Sequence, residues 1–284
     1  MKLAVIVTTY NRPDALGAVL AGYAAQTDLA FELLVADDGS RDDTGDLVRR
    51  FAASAPFPCH HVWHEDIGFR AAGIRNRALC RTTADYVVFT DGDCIPGAAF
   101  VARHRSLAEP GWFVAGNRVL LSRAFTDRVL ADGVPVHRWS GWNWVCARLA
   151  GDVNRLVPLL DLGDGGWRRR RPRQWEGVKT CNLGAWRTDL VAVNGLDETY
   201  TGWGMEDSDL VVRLLRAGVR HKTARFSAPV FHLWHPENDR SRLPENRARL
   251  AQVLASSQVQ AALGLDRYAD IAEPESGGSS GACR

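Results

Sequence analysis

Asp91-Gly92-Asp93 follows directly on Tyr86-Val87-Val88-Phe89-Thr90, an apolar run of strand type. Two carboxylates one glycine apart at the end of a buried strand need a cationic partner. Oxygen donors of this kind suit a hard divalent ion, Mg²⁺ or Mn²⁺. Such an ion can bridge the protein to a nucleoside diphosphate and, as a Lewis acid, neutralise a diphosphate leaving group. The alternative, a turn with two solvated acids, leaves the glycine-spaced pair after Phe89 unexplained.

Gly202-Trp203-Gly204-Met205-Glu206-Asp207-Ser208-Asp209 is a second cluster. Its glycines permit close approach, Trp203 offers a flat apolar face to a sugar ring, and Glu206-Asp207 open a helix. Helix N-termini attract acids in any case, which accounts for Asp209 but not for a tryptophan between two glycines. In Phe231-His232-Leu233-Trp234-His235, two histidines three apart at a strand end can supply a nitrogen ligand to an ion held by Asp93. Asp37-Asp38 fits either a contact to a base or ribose, or an Asx-turn leading into the next helix. Arg70 and Arg75 bracket a helix start, where they either meet phosphate oxygens or form a solvated basic face.

The elements carrying these residues alternate. Lys2–Thr8, Phe31–Ala36, Cys59–Trp63 and Tyr86–Thr90 read as strands. Between and after them come a helix capped by Asn11 and running to about Gln26, then helices over Asp43–Ala53, Ala71–Arg81 and Ala98–Ala108. This order predicts an α/β fold, a mainly parallel sheet with helices on both faces. Ligands of such sheets gather beyond the carboxyl ends of the strands, so Thr8–Arg12, Asp37–Ser40 and Asp91–Cys94 are expected to share one site. Beyond Gly111, Trp112–Arg118 reads as a strand, regular structure returns at Cys181–Trp186, and Glu206–Ala217 reads as a helix, Arg220–Phe226 and Val230–Leu233 as short strands, and Pro244–Gln260 as a final helix.

At 284 residues and 46% hydrophobic, the chain can bury one large core or two modest ones. A net charge of +2 argues against nucleic acid as a partner. No apolar stretch approaches the roughly 20 residues of a membrane helix, and the apolar run after Met1 is too short for a signal peptide. The six cysteines are scattered without a CxxC pair and read as reduced thiols of a cytoplasmic protein.

Taken in order, Val5-Ile6-Val7-Thr8-Thr9-Tyr10-Asn11-Arg12-Pro13, Asp37-Asp38-Gly39-Ser40, Gly68-Phe69-Arg70 through Asn76, and Asp91-Gly92-Asp93 resemble the family 2 glycosyltransferases of GT-A (Rossmann-like) fold. Gly202-Trp203-Gly204-Met205-Glu206-Asp207 resembles the acceptor-side motif of β-1,4-galactosyltransferase and chondroitin-polymerase-type domains. The likeness runs in blocks from Lys2 to Asp239, with the 110s to the 170s unmatched. It implies an inverting, metal-dependent transferase moving a sugar from a nucleoside diphosphate sugar, expected to be a UDP-sugar, to a hydroxyl of a glycan or glycolipid, as in polysaccharide or lipopolysaccharide biosynthesis.

By the same resemblance, Thr8, Tyr10, Arg12 and Asp38 line the nucleotide pocket, Arg70 approaches the diphosphate and Asp91 the ribose or donor sugar. Asp93 ligates Mn²⁺ or Mg²⁺ together with His232 or His235, with the choice between them open. Asp207 is the base, Glu206 an acceptor contact and Trp203 a sugar platform. The expected organisation is one catalytic domain over 1–240, with a nucleotide-binding half to about 118 and an acceptor-binding half after it. A C-terminal helix within 241–265 and a disordered tail over 266–284 complete it.

Arg168-Arg169-Arg170-Arg171-Pro172-Arg173 lies in the unmatched stretch. It reads as a mobile flap, as a contact for a phosphorylated or acidic acceptor such as a lipid-linked glycan at the inner face of a membrane, or as a solvated basic loop. Two other functions compete. A sugar-1-phosphate nucleotidyltransferase needs a glycine-rich loop where Thr8-Thr9-Tyr10-Asn11-Arg12-Pro13 stands, and a non-catalytic glycan- or nucleotide-binding module would not turn a donor over.

Overall fold

A computed structural model describes residues 1–271. The first half comprises β1 (Leu3–Thr9), α1 (Pro13–Ala24), β2 (Glu32–Asp37), α2 (Asp42–Ala52), β3 (Cys59–Trp63), α3 (Ala71–Arg81), β4 (Tyr86–Asp91), β5 (Cys94–Pro96) and α4 (Phe100–Leu107). There follow β6 (Trp112–Ala115), β7 (Arg118–Leu120), α5 (Arg123–Asp132), α6 (Gly141–Leu149), β8 (Asn182–Trp186) and α7 (Arg187–Ala192). The remainder is α8 (Glu206–Arg216), β9 (Arg220–Thr223), β10 (Val230–His232) and α9 (Leu243–Ala255).

Seven strands form the main sheet in the order β3-β2-β1-β4-β8-β6-β9, parallel except for β8, which runs antiparallel between β4 and β6. Successive residues of β1 face opposite layers, as the pleat requires. Leu3, Val5 and Val7 pack with Leu16 of α1 and Val48 of α2, whereas Ala4 and Ile6 pack with Ile74 of α3 and Leu210 of α8. Both faces of the central strands are therefore buried, which is why β1, β2 and β4 read as continuous apolar runs. The expected mixed, mainly parallel α/β sheet is present.

A second sheet, β5-β10-β7, was not legible. Here the expected single strand Trp112–Arg118 is corrected: it breaks at Gly116-Asn117 into β6 and β7, which belong to different sheets. A Cβ at Gly116 would lie 2.2 Å from the Asn182 side chain, so the chain bends where no side chain fits. Asn182 is itself a buried clasp, with Oδ1 2.9 Å from His104 Nε2 and Nδ2 donating to the carbonyls of Asn117 and Ala228. Trp144, from the tryptophan-rich stretch, stacks on Phe231 of β10 at 4.3 Å and belongs to the core.

Two further expectations change. Asn11 is not the cap of α1: it sits at φ +48°, and its Oδ1 accepts from the Arg41 N–H, which locks the loop after β1 to the loop after β2. Residues Leu265–Ile271 form a 3₁₀ turn against α3, with Tyr268 buried, so the expected disorder from 266 fails there. The rest of that expected tail lies outside the described residues. Cys59, Cys80, Cys94, Cys146 and Cys181 are free thiols.

The position of β8 gives a test. A Cβ on Gly184 would meet the Tyr86 hydroxyl at 2.4 Å in the middle of the sheet. Gly184→Ala is expected to lower stability by about 1–3 kcal/mol through overpacking, measured by urea denaturation. An unchanged midpoint would contradict the packing of β8 on β4.

Candidate active site

The parallel register sets the site's floor. Thr8 pairs with Asp91 and Thr9 with Asp37, so the acidic ends of β2 and β4 flank the end of β1. The Gly92 N–H donates to the Thr8 carbonyl at 2.7 Å, and a Cβ there would lie 2.9 Å from the Thr9 side chain. Glycine is required between the two acids because the backbones touch. Past it, the Asp93 carbonyl accepts from the Leu233 N–H at 2.9 Å, which brings the end of β10 alongside.

His232 and His235, far along the chain, consequently meet Asp93. Their Nε2 atoms lie 3.6 and 3.3 Å from Asp93 Oδ2. Nδ1 of His235 is 2.6 Å from the Pro236 carbonyl, which can only accept, so Nδ1 carries a proton and Nε2 is the nitrogen turned to Asp93. Burial pulls the His232 pKa down despite Asp93, leaving its imidazole neutral and able to ligate. One carboxylate and two imidazoles converge at spacings that suit adjacent ligands of a divalent ion, about 3 Å apart. These residues fit a cation.

Sequence reasoning missed two neighbours of this group. The Cys94 thiol donates to Asp93 Oδ1 at 3.4 Å and lies with Asp93 and His232 in a potential ligand cluster. Burial, then its contact with Cys181, pushes the thiol pKa well up. Arg118 shares a sheet face with His232 and Cys94, because β7 and β5 pair with β10 in register. Its charge interacts with Asp91 and Asp93, and its guanidinium has no hydrogen-bond partner among the described residues. Arg118 stands in no motif, and Cys94, though it ends the Asp91–Cys94 stretch expected at the site, was given no role of its own.

Arg75 is neither a phosphate contact nor part of a solvated face. It is buried, with Nε donating to Thr8 Oγ1 at 2.9 Å, Nη2 to Asp91 Oδ1 at 3.0 Å and Nη1 to Glu206 Oε1 at 3.3 Å. One guanidinium thus joins the ends of β1 and β4 to the start of α8. Burial pulls its pKa down, but Asp91, Glu206 and Asp207 more than reverse this, so the cation is held. Burial raises the pKa values of Asp91 and Glu206, with Arg75 opposing in each case.

On the nucleotide side, buried Asp38 accepts from the Arg70 N–H at 2.8 Å through Oδ2 and lies 2.6 Å from His64 Nε2 through Oδ1. Asp37 makes the expected Asx contact, accepting from the Ser40 N–H, and also meets His61 at 2.9 Å. Tyr10 is exposed and donates to Asp66. Two expected cations turn elsewhere: Arg12 grips Asp14, and the Arg70 guanidinium donates to the Glu65 carbonyl.

On the other side, Gly202 (φ +71°), Gly204 (φ +104°) and Met205 (φ +78°) wind the chain sharply into α8. Asp207, in the first turn and buried, accepts from the Ser208 N–H at 2.8 Å, and its Oδ2 lies 3.4 Å from Lys179 Nζ, a partner the sequence did not mark. Glu206 Oε2 is buried without a partner among the described residues. Arg240 covers one face of Trp203, 4.9 Å from the ring centre. Asp209 is structural, as its place in the helix suggested: it pairs with Arg213, which also ties down the carbonyls of Val193 and Gly195.

Arg75→Met would strand two acids, of which Asp91 keeps 30% of its side-chain exposure and is partly relieved by water. A loss of about 3 kcal/mol is expected at neutral pH. The sign with pH follows from the raised carboxyl pKa values. A group whose pKa is raised on folding destabilises when ionised, so the deficit should shrink as pH falls from about 7 toward 5 and protons return. Urea denaturation across that range checks this. A deficit that is flat or grows toward acid would contradict it.

The family model "Glycosyl transferase family 2" matches residues 4–171, and "N-terminal domain of galactosyltransferase" matches residues 168–236. A validoxylamine A glucosyltransferase of Streptomyces hygroscopicus subsp. jinggangensis is 27% identical over 79% of this chain and 54% of its own length. The hyaluronan synthase of Pasteurella multocida is 27% identical over 78% of this chain and 23% of its own. The chain thus spans about half or less of these relatives. Among solved structures, S. aureus TarS in complex with UDP shares the fold at TM-score 0.57 and 16% identity, covering 96% of this chain and 70% of that one. Mannosyltransferase PcManGT of Pyrobaculum calidifontis, in complex with GDP-Man and Mn²⁺, does so at TM-score 0.60 and 21% identity, covering 89% and 63%. With the matched model running through β1, β2, β4 and the Asp91-Gly92-Asp93 turn, the chain belongs to the family 2 glycosyltransferases and has their GT-A fold.

Proposed function

We propose that the enzyme is an inverting transferase that takes a sugar from a nucleoside diphosphate sugar, a UDP-sugar, and delivers it to a hydroxyl of a glycan or lipid-linked glycan. The observation that carries this reading is the Arg75 junction, which joins Asp91, in the same turn as Asp93, to Glu206, the neighbour of Asp207 on α8. Asp93 with His235 and His232 would hold Mn²⁺ or Mg²⁺. When bound, that cation neutralises charge on the diphosphate. The complexes of similar folds with UDP and with GDP-Man and Mn²⁺ support this assignment.

The chain's own residues divide the remaining work. Thr8, Tyr10 and Asp38 border the nucleoside, with Asp38 fixed by His64 and the Arg70 N–H so that its carboxylate keeps one orientation. Arg118, without a side-chain hydrogen-bond partner among the described residues, adds a positive charge for the diphosphate beside Arg70. The orphan Oε2 of Glu206 is free to accept from an acceptor hydroxyl, and Trp203 presents its uncovered face to the acceptor ring. Asp207 takes the proton of the attacking hydroxyl as its oxygen bonds to the anomeric carbon. The bond from that carbon to the diphosphate oxygen breaks on the opposite face, through an oxocarbenium-like state. A cytoplasmic site of action, peripheral to a membrane bearing the acceptor, completes the proposal. Hyaluronan and chondroitin synthases among the relatives favour a polysaccharide product.

Release of nucleoside diphosphate from a panel of UDP- and GDP-sugars with Mn²⁺ tests the donor. UDP-sugars are expected to be consumed, and no turnover of any donor would overturn the reading. Asp207→Asn is expected to cut kcat by about 10²–10⁴-fold with donor affinity nearly unchanged in calorimetry, and an equal loss of donor binding would remove Asp207 from the role of base. Asp93→Ala should abolish Mn²⁺-dependent donor binding. Full wild-type activity in excess chelator would eliminate the metal.

A further inference from the structure

The arginine run does not form a uniform basic face. Arg168 is buried, and its guanidinium donates to the carbonyls of Leu162, Gly163, Thr223 and Arg225, so it pins the loop to the end of β9. Arg169 is tied to Glu109 and Asp164. Arg173 is exposed and without a side-chain hydrogen bond or ion pair among the described residues, and so are Arg170 and Arg171.

Arg170 and Arg171 line a cavity of about 530 Å³ together with Arg155, Arg168 and Arg225. Glu176 is the one acid on its wall, against five arginines. Trp167 and Phe226, 5.9 Å apart, and His221 supply flat aromatic surface. Arg225 likewise has no polar side-chain partner among the described residues, only the Phe226 ring at 5.8 Å. A concave site with several uncommitted guanidiniums and aromatic walls suits an anionic sugar derivative. Guanidinium forks bind carboxylate or phosphate in a bidentate manner, and the rings pack on apolar sugar faces.

Its place in the fold says which substrate it serves. Ala115–Asn117, just past β6, and Thr223, ending β9, form part of the wall. In the sheet order β4-β8-β6-β9, with strands about 4.8 Å apart, the cavity stands about 10–15 Å from the Asp91 end of β4. Asn117 on the wall directly precedes Arg118, so the cavity borders the diphosphate side without containing Asp93 or either histidine. Val178 also lies on the wall, and the next residue, Lys179, contacts Asp207. We infer that this cavity is an acceptor subsite for an anionic group, a carboxylate or a phosphate, on a unit of the acceptor adjoining the one that carries the attacking hydroxyl. This rests on the transfer reading above and narrows its acceptor class to acidic glycans or phosphate-bearing anchors.

The test is calorimetry on the full chain with methyl glucuronide, glycerol phosphate and neutral methyl glucoside as probes. At least one anion is expected to bind and to weaken with added salt, methyl glucoside is expected not to bind, and the tighter anion identifies carboxylate or phosphate as the group. Arg171→Gln with Arg225→Gln is expected to weaken anion binding at least about tenfold, the loss of one or two charge-assisted contacts. Glu176→Gln should tighten it, a gain that misfolding cannot imitate. Equal binding of methyl glucoside, or anion affinity untouched by all these changes, would overturn the subsite. So would capture by phosphatidylglycerol vesicles through these arginines with no binding of either free anion, since that marks a membrane surface. Donor turnover of the wild type is recorded separately: if it is absent while the anions bind, the transfer reading fails and the anion site stands.

Discussion

One buried guanidinium sets the geometry of this active site. Arg75 takes a hydroxyl from β1, a carboxylate from β4 and a carboxylate from α8, and thereby fixes the distance between the two halves of the fold. A charge of this kind is costly to bury and tolerable only when fully paired. The cost is offset by the Asp91 and Glu206 carboxylates, so assembly of the site and ionisation of its acids are one equilibrium. Lysine could not substitute, because three bonds in three directions need the planar fork.

The carboxylates then separate by environment. Asp91 and Glu206 serve Arg75, Asp209 serves Arg213 within its helix, and Asp38 is held by His64 and a backbone N–H. Asp93, among imidazoles, and Asp207, beside Lys179, hydrogen-bond to neither Arg75 nor Arg213. In the proposed mechanism the cation and the proton therefore fall to different carboxylates. The second sheet accomplishes it, because β10 pairs with β5 and delivers His232 and His235 to an acid some 140 positions earlier in the chain.

Much of this was legible in the sequence, for physical reasons that also mark the limit. The strands β1, β2 and β4 are buried on both faces and so declare themselves as apolar runs, and the acids after them fall at carboxyl ends by construction. β10 was read as a strand, but the three-residue β5 and β7 that flank it carry no usable periodicity, so the sheet that positions the histidines was invisible. Arg75 looked like any helix-surface arginine, because pairing partners 16 and 131 residues away leave no local trace. Lys179 and Arg118 lie in stretches without a motif, and Asn11 was read as a cap because its use by the neighbouring loop is tertiary. The arginine run was seen as one feature, yet burial splits it into anchors and cavity lining.

The most direct test of the central claim is where a catalytic cation binds. Crystals grown with UDP and Mn²⁺, measured at the manganese absorption edge, should show one anomalous peak within bonding distance of the Asp93 carboxylate and of Nε2 of His232 or His235, with the UDP diphosphate on its open side. A peak at Asp207 or Glu206, or bound UDP with no manganese at Asp93, would contradict the division of labour between the two carboxylates.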